Sequence, residues 1–312
     1  MSEKTFKAFT QTDGKNYARF RRNYHQTLYN LVLDYHTSKN GAFDTILDVG
    51  CGPGTAVSTL APRFAHAYGF DASQGMIDSA KSLGGETSTG EPITFAVSGA
   101  EQLGNNIDPP VADGSVDMII SATAAHWFDM AAFWPRAAKV LKPGGTVAIW
   151  CGAKVRALPP TPQCGEIDAA INRFRDNLKD FAEAGNLIAE GLYVELPTPW
   201  SLPTPVAEFD EAAFVRKEWG NDKLDSLPGN EFWEMNHPGD LDFMEAAMGT
   251  ASPVVRWREA NPELVGTEKD VVRVMRREME QILAAAGYTV KAGEKLLYGG
   301  TEAVLMLFTK KA

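Results

Sequence analysis

Apolar residues along this chain keep two rhythms, short runs with strand spacing and longer runs returning every three or four positions, and the two alternate from residue 44 to residue 151. The short runs predict strands at 44–49, 65–70, 93–97, 115–121 and 145–151, and the longer ones predict helices at 54–63, 73–82 and 130–141. Strands and helices in that alternation build a doubly wound, mostly parallel sheet with helices on both faces, an α/β fold. Ahead of it, Tyr17, Phe20, Tyr24, Leu28, Leu31, Val32 and Tyr35 follow helical spacing and predict an amphipathic helix. Leu141, Lys142, Pro143, Gly144 and Gly145 are a turn signal just before the last of the predicted strands.

From about residue 152 the alternation stops, and proline, tryptophan and charge interleave through 158–162, 196–200 and 231–237. Helical stretches are predicted near 163–190 and 208–219, and more clearly at 266–286, where Val271, Val272, Val274, Met275, Met279, Ile282 and Leu283 form the apolar stripe. Two strand-like runs, 294–298 and 302–309, flank Gly299 and Gly300 and read as a hairpin. The chain thus divides into an N-terminal helical lid (1–40), an α/β core (41–151), an inserted, mostly helical cap (152–265) and a C-terminal helix with an antiparallel hairpin completing a seven-stranded sheet (266–312). Such a cap would lie over the C-terminal ends of the strands, where open α/β sheets bind ligands.

The first predicted strand runs through Ile46, Leu47, Asp48 and Val49 into glycines at every second position, Gly50, Gly52 and Gly54. Glycines at a strand-to-helix turn allow positive φ and let a ligand approach the main chain without meeting a Cβ. A dinucleotide fingerprint spaces its third glycine one residue further on and rests a pyrophosphate on the helix. Here Asp48 ends the strand, and a carboxylate there repels a pyrophosphate but suits a cationic ligand. About twenty residues downstream, Gly69, Phe70 and Asp71 end the next strand in a second acid, at the distance where a ribose diol is held.

On these residues the chain resembles the class I S-adenosylmethionine-dependent methyltransferases, whose first motif is similar to residues 48–54 and whose second acid is similar to Asp71. The resemblance implies a Rossmann-like sheet that takes S-adenosyl-L-methionine as cofactor, with residues 41–151 binding it. It places Asp48 by the methionine end, Gly50, Gly52 and Gly54 alongside it, and Asp71 and Ala72 at the ribose; Met76 and Ile77 either line the adenine or belong to the core, which their helical spacing favours. Ser98, Gly99, Ala100 and Glu101 are similar to the adenine-binding turn. Relatives often carry an acid where Gly99 stands, which leaves the backbone at Ala100 and Glu101 as the contact. Ser121, ending the fourth predicted strand, joins the cofactor set. The run His126, Trp127, Phe128 after that strand, with residues 17–24, looks like the fungal trans-aconitate methyltransferase group, which implies a small acid as acceptor.

A carboxylate acceptor is already ionised at neutral pH, so methylating it requires alignment and exclusion of water rather than a general base. In that reading His126 and Trp127 shape the methyl-delivery face, and arginines orient the acid through bidentate hydrogen bonds. Arg22 is the positioning arginine named with them, and the substrate set is Tyr17, Arg19, Arg22, Tyr24, Trp127, Arg256 and Arg258. A hydroxyl acceptor would need a base, for which His126 is the candidate. The alternatives are a secondary-metabolite O- or N-methyltransferase and a protein that binds the cofactor without transferring methyl.

Composition narrows the partners. The 312 residues carry a net charge of −10, which argues against nucleic acid, and no apolar run reaches the roughly 18 residues of a bilayer span. Three cysteines without a C-x-x-C pair and five scattered histidines suggest neither a disulfide framework nor a metal centre. The N-terminal residues have no apolar signal core, so a cytoplasmic enzyme with a small-molecule substrate is expected.

Overall fold

The computed structural model describes residues 5–6, 9–221, 223, 225–234 and 238–312; residues 235–237 of the aromatic run at 231–237 and the first four residues of the expected lid lie outside them. Its centre is a seven-stranded sheet of β1 (Thr45–Val49), β2 (His66–Asp71), β3 (Thr94–Val97), β4 (Val116–Ala122), β5 (Leu141–Ala157), β6 (Val215–Trp219) and β7 (Gly299–Thr309). The spatial order is β3-β2-β1-β4-β5-β7-β6, with β3 to β5 mutually parallel and β7 antiparallel to both β5 and β6.

Alternate strand residues feed two cores, as the two-residue period of a strand requires. On one face Ile46, Met118, Ile120, Ala148 and Trp150 pack with Leu28 and Val32 of α2 (Gln26–Ser38), Val57 and Leu60 of α3 (Thr55–Leu60) and Ile77 of α4 (Gln74–Leu83). On the other Leu47, Val49, Ile119, Val147 and Ile149 pack with Phe133, Trp134 and Ala137 of α5 (Met130–Val140). With both faces covered, β1 and β4 read as nearly unbroken apolar runs.

A third cluster lies apart from the sheet. It joins α6 (Cys164–Asp176), α8 (Leu241–Met248), α9 (Ser252–Ala260) and α10 (Val271–Ala285) through Ile167, Ile171, Phe174, Val254, Val272, Met275 and Met279. The helix expected at 266–286 therefore packs with the helices of the cap region rather than with the sheet. Between α6 and α8 stands the short α7 (Ala184–Glu190).

Four local expectations are corrected. The terminal hairpin does not form: residues 294–298 make only an isolated bridge at Leu297, and the seventh strand is β6 from within the region expected to be cap. Residues 208–219, expected helical, hold a short 3-10 turn at Glu211–Ala213 and then β6, because pairing with β7 outweighs the helical spacing of this charged stretch. The Pro-Gly-Gly signal lies inside β5, where the register against β4 slips between Leu141 and Thr146 and Gly144 takes φ +75°. The single N-terminal helix is two, α1 (Gln11–Phe20) and α2, separated by an extended stretch at 21–25. Thr10 and Asp13 form a capping box at the start of α1, and Gly14 is buried where the helix crosses α4 against Ser79.

Candidate active site

The C-terminal ends of β1, β2 and β4 open into a cleft of about 460 Å³, within the range usual for small-molecule sites. Gly50, Gly52, Asp71, Ala72, Met76, Ala100 and Glu101 line one side, and Tyr17, Arg21, Arg22, Tyr24, Thr123, Trp127 and Trp233 the other. The glycines adopt the positive φ the turn demands, +69° at Gly50, +54° at Gly52 and +89° at Gly54. Their surroundings differ. A Cβ on Gly50 would meet that of Ala124 at 2.4 Å, and one on Gly54, the N-cap of α3, would meet the Phe95 ring at 3.0 Å. A Cβ on Gly52 would meet no protein atom within 4 Å, so the space beside its main chain is open.

Asp71 ties this turn to the end of β2. One carboxylate oxygen accepts from the Gly52 amide at 2.9 Å and the other from the Ser73 amide at 2.8 Å. The N-cap of α4 is Ser73, whose hydroxyl accepts from the Met76 amide, so the acid does not itself cap that helix.

Asp48 and Ser121, near the ends of β1 and β4, are not in the cleft lining; both are buried, and among the described residues their side-chain oxygens have no hydrogen-bond partner. Burial raises the Asp48 carboxyl to about 8; the Val57 amide opposes this without making a full hydrogen bond, and the Asp71 charge adds to it. A buried, unpartnered carboxylate is costly unless a donor or cation completes it. An ammonium-bearing ligand over an open glycine turn fits that requirement, so the residues present fit S-adenosyl-L-methionine. Of the two residues left open between adenine and core, Ile77 is fully buried in the core and Met76 lines the cleft.

The expected substrate residues separate into two groups. Tyr17, Arg22, Tyr24 and Trp127 are brought together around the cleft. Tyr24 is almost fully buried, its hydroxyl 2.9 Å from Thr123 Oγ1 and its ring stacked on Trp233 at 4.6 Å. Arg19, Arg256 and Arg258 are absent from the lining. Arg19 and Arg258 border a separate polar groove between α1 and the cap helices. Arg256 donates to the Phe181 carbonyl, Thr5 and Asn186, and Arg258 grips Asp270 at 2.9 and 3.1 Å. These two guanidiniums are spent on internal partners.

His126 is also outside the lining. Its Nδ1 lies 2.8 Å from the Tyr193 hydroxyl, and burial lowers its pKa to about 3. It is neutral throughout the physiological range and supports Trp127, whose ring centroid is 4.8 Å away. The expectation that it faces the transferred methyl is therefore corrected: the turn Ala125–Trp127 directs the imidazole toward Tyr193.

Sequence reasoning missed Arg21 and Trp233. Arg21 follows the end of α1, so helical periodicity no longer predicts its direction, and it lies over Tyr17 at 5.0 Å. Trp233 reaches the cleft through a bridge to Tyr24, a contact across more than two hundred residues that no local pattern encodes.

Fold and cleft together define a class I methyltransferase architecture, and comparison with known proteins agrees. Residues 47–149 match the family described as methyltransferase domain. The chain is 35% identical over 136 residues to a Dictyostelium discoideum protein assigned as a methyltransferase, covering 44% of this chain and 46% of that one. It is 30% identical over 138 residues to a Saccharomyces cerevisiae protein assigned as an S-adenosylmethionine-dependent methyltransferase, covering 44% and 45%. The matched stretch thus spans just under half the length of these relatives. A solved structure from Anaeromyxobacter dehalogenans, assigned as a type II methyltransferase, superposes with a TM-score of 0.55 at 21% identity over 93% of this chain and 97% of that one, which shows the shared fold. Residues 47–149 are thus similar to methyltransferase domains, of which the Saccharomyces cerevisiae relative is assigned as S-adenosylmethionine-dependent. Among the described residues no helix is long and apolar enough to cross a membrane.

Proposed function

We propose that the protein methylates a small molecule from S-adenosyl-L-methionine and that the acceptor atom is a carboxylate oxygen. The cofactor, when bound, supplies an electrophilic methyl: the acceptor lone pair forms the O–C bond, the C–S pair stays on sulfur, and both charges cancel with no proton to place. Asp48 and the glycine turn would hold its amino-acid end, Asp71 and Ala72 its ribose, and Ala100 and Glu101 its base. Tyr17, Arg22, Tyr24 and Trp127 form the acceptor side and exclude water.

The observation that carries the carboxylate reading is Arg21, a cationic side chain on the cleft with no side-chain hydrogen bond or ion pair among the described residues, in a cleft that none of the described histidines lines. A guanidinium on the cleft favours an anionic acceptor, and the lack of an imidazole among the described lining residues favours one already ionised. Trans-aconitate is the first acid to try, because of the resemblance at residues 126–128. Methyl transfer to a panel of acids, alcohols and amines tests the reading: a base-labile ester product supports it, and a stable ether or amine product overturns it. A second reading, a hydroxyl or amine on a larger scaffold, draws support from an apolar cavity beside the cleft. Tight cofactor binding with no transfer to any acceptor would favour a non-catalytic binding protein.

A further inference from the structure

The cleft adjoins a second cavity of about 200 Å³, and Arg21, Arg22 and Trp233 touch both, forming the partition between them. The second cavity is of a different character. Ile167 and Ile171 of α6, Phe243, Met244 and Met248 of α8 and Met279 of α10 give it an apolar wall. Arg156, on its margin, is already committed to Asp168 at 3.6 Å and Glu302 at 3.9 Å.

The two guanidiniums of the partition are in unlike states. Arg22 donates to the Glu234 carbonyl at 3.4 Å and lies 4.5 Å over the Phe243 ring. Among the described residues the buried Nε of Arg21 has no partner, and the guanidinium lies over the Tyr17 ring at 5.0 Å. A guanidinium where a polar cleft meets an apolar cavity favours an anion that can take its charge-assisted hydrogen bonds.

We propose that the methyl acceptor is an amphiphilic monocarboxylic acid, its carboxylate against Arg21 and its apolar body in the second cavity. This rests on the methyl-transfer reading above and names its substrate class. A small polyacid also satisfies Arg21, with Arg22 beside it on the partition, but it leaves the apolar wall of Met244 and Ile171 uncovered. Burying each methylene of an alkyl tail there is favourable, whereas burying an unpaired carboxylate is not. The methyl ester forms by the displacement already described, with no further reactant.

The test is isothermal titration of the full chain, first with S-adenosylhomocysteine and then, saturated with it, with hexanoate, octanoate, octanol and tricarballylate. Octanoate is expected to bind about tenfold tighter than hexanoate, from the usual gain per buried methylene, and tighter than tricarballylate. Arg21→Met is expected to weaken octanoate at least about tenfold while leaving octanol unchanged, as loss of a charge-assisted pair alone would do. Val155→Trp, at a lining position 40% exposed and tolerant of a larger side chain, is expected to abolish the advantage of octanoate over hexanoate. Equal binding of the two chain lengths, preference for tricarballylate, or indifference to Arg21→Met would overturn the amphiphile while leaving methyl transfer standing. Failure of S-adenosylhomocysteine to bind would overturn both.

Discussion

The Asp71 carboxylate accepts the backbone N–H of Gly52 at 2.9 Å, so the acid that ends β2 also fixes the glycine turn that follows β1. With the Ser73 amide on its other oxygen, one side chain organises two loops of the cleft. Asp71→Ala should therefore lower S-adenosylhomocysteine affinity at least about a hundredfold and destabilise the fold by about 1–3 kcal/mol, since two amides lose a charged acceptor. Titration and urea unfolding on the same samples check both figures; weakened binding without loss of stability would confine Asp71 to ligand contact.

Gly52 separates ligand approach from folding. A Cβ there meets no protein atom, so Gly52→Val costs the fold mainly the strain of φ +54°, about 1–2 kcal/mol. The valine would occupy the space beside the turn, and cofactor-analogue binding should fall below detection. Retained affinity in a titration would show that the ligand does not pass this main chain.

Most of the sheet was legible in the sequence because β1, β2, β3 and β4 are short apolar runs bounded by glycine and turns, and their spacing follows from local sterics. The edge strand β6 was hidden. Arg216 and Lys217 put charge on this edge strand, Glu218 is buried in ion pairs with Arg216 and Lys223, and such a segment has no apolar alternation to announce it. The cofactor side of the cleft was equally legible, since Asp48, Gly50, Gly52 and Asp71 sit at strand ends. On the acceptor side, basic residues look alike in a sequence. Whether Arg21 is vacant and Arg258 spent depends on Asp270, on a helix ending at Phe20 and on Trp233, all of them tertiary facts.

Arg258 and Asp270 make a further prediction. Asp270 is buried and caps α10, while Arg258 is about one-third exposed, which limits the pair's worth. Arg258→Ala should cost about 1–3 kcal/mol in urea unfolding, because a buried carboxylate loses its cation. Its acceptor preference should match that of the parent chain. A selective loss for acidic acceptors would return Arg258 to the site.

The raised pKa of Asp48 gives the unliganded chain and the bound state opposite pH responses. In the folded chain the carboxyl titrates near 8, far above the unfolded value of 3.8, so its protonated form is the one that folding favours. That contribution is complete below about pH 4 and is lost progressively as pH rises from there to about 8, where it levels off. Binding a ligand ammonium reverses the preference, because the ionised carboxylate becomes the partner and the proton leaves. S-adenosylhomocysteine should accordingly bind more tightly as pH rises from 6 to 8, with release of up to about one proton per site at pH 7. Titrations in two buffers of different ionisation enthalpy read that proton directly. Asp48→Asn should abolish the release and flatten the pH dependence in this range. Proton release that survives in the asparagine variant would assign it to another group and leave Asp48 as a buried strand-end residue without a part in holding the ligand.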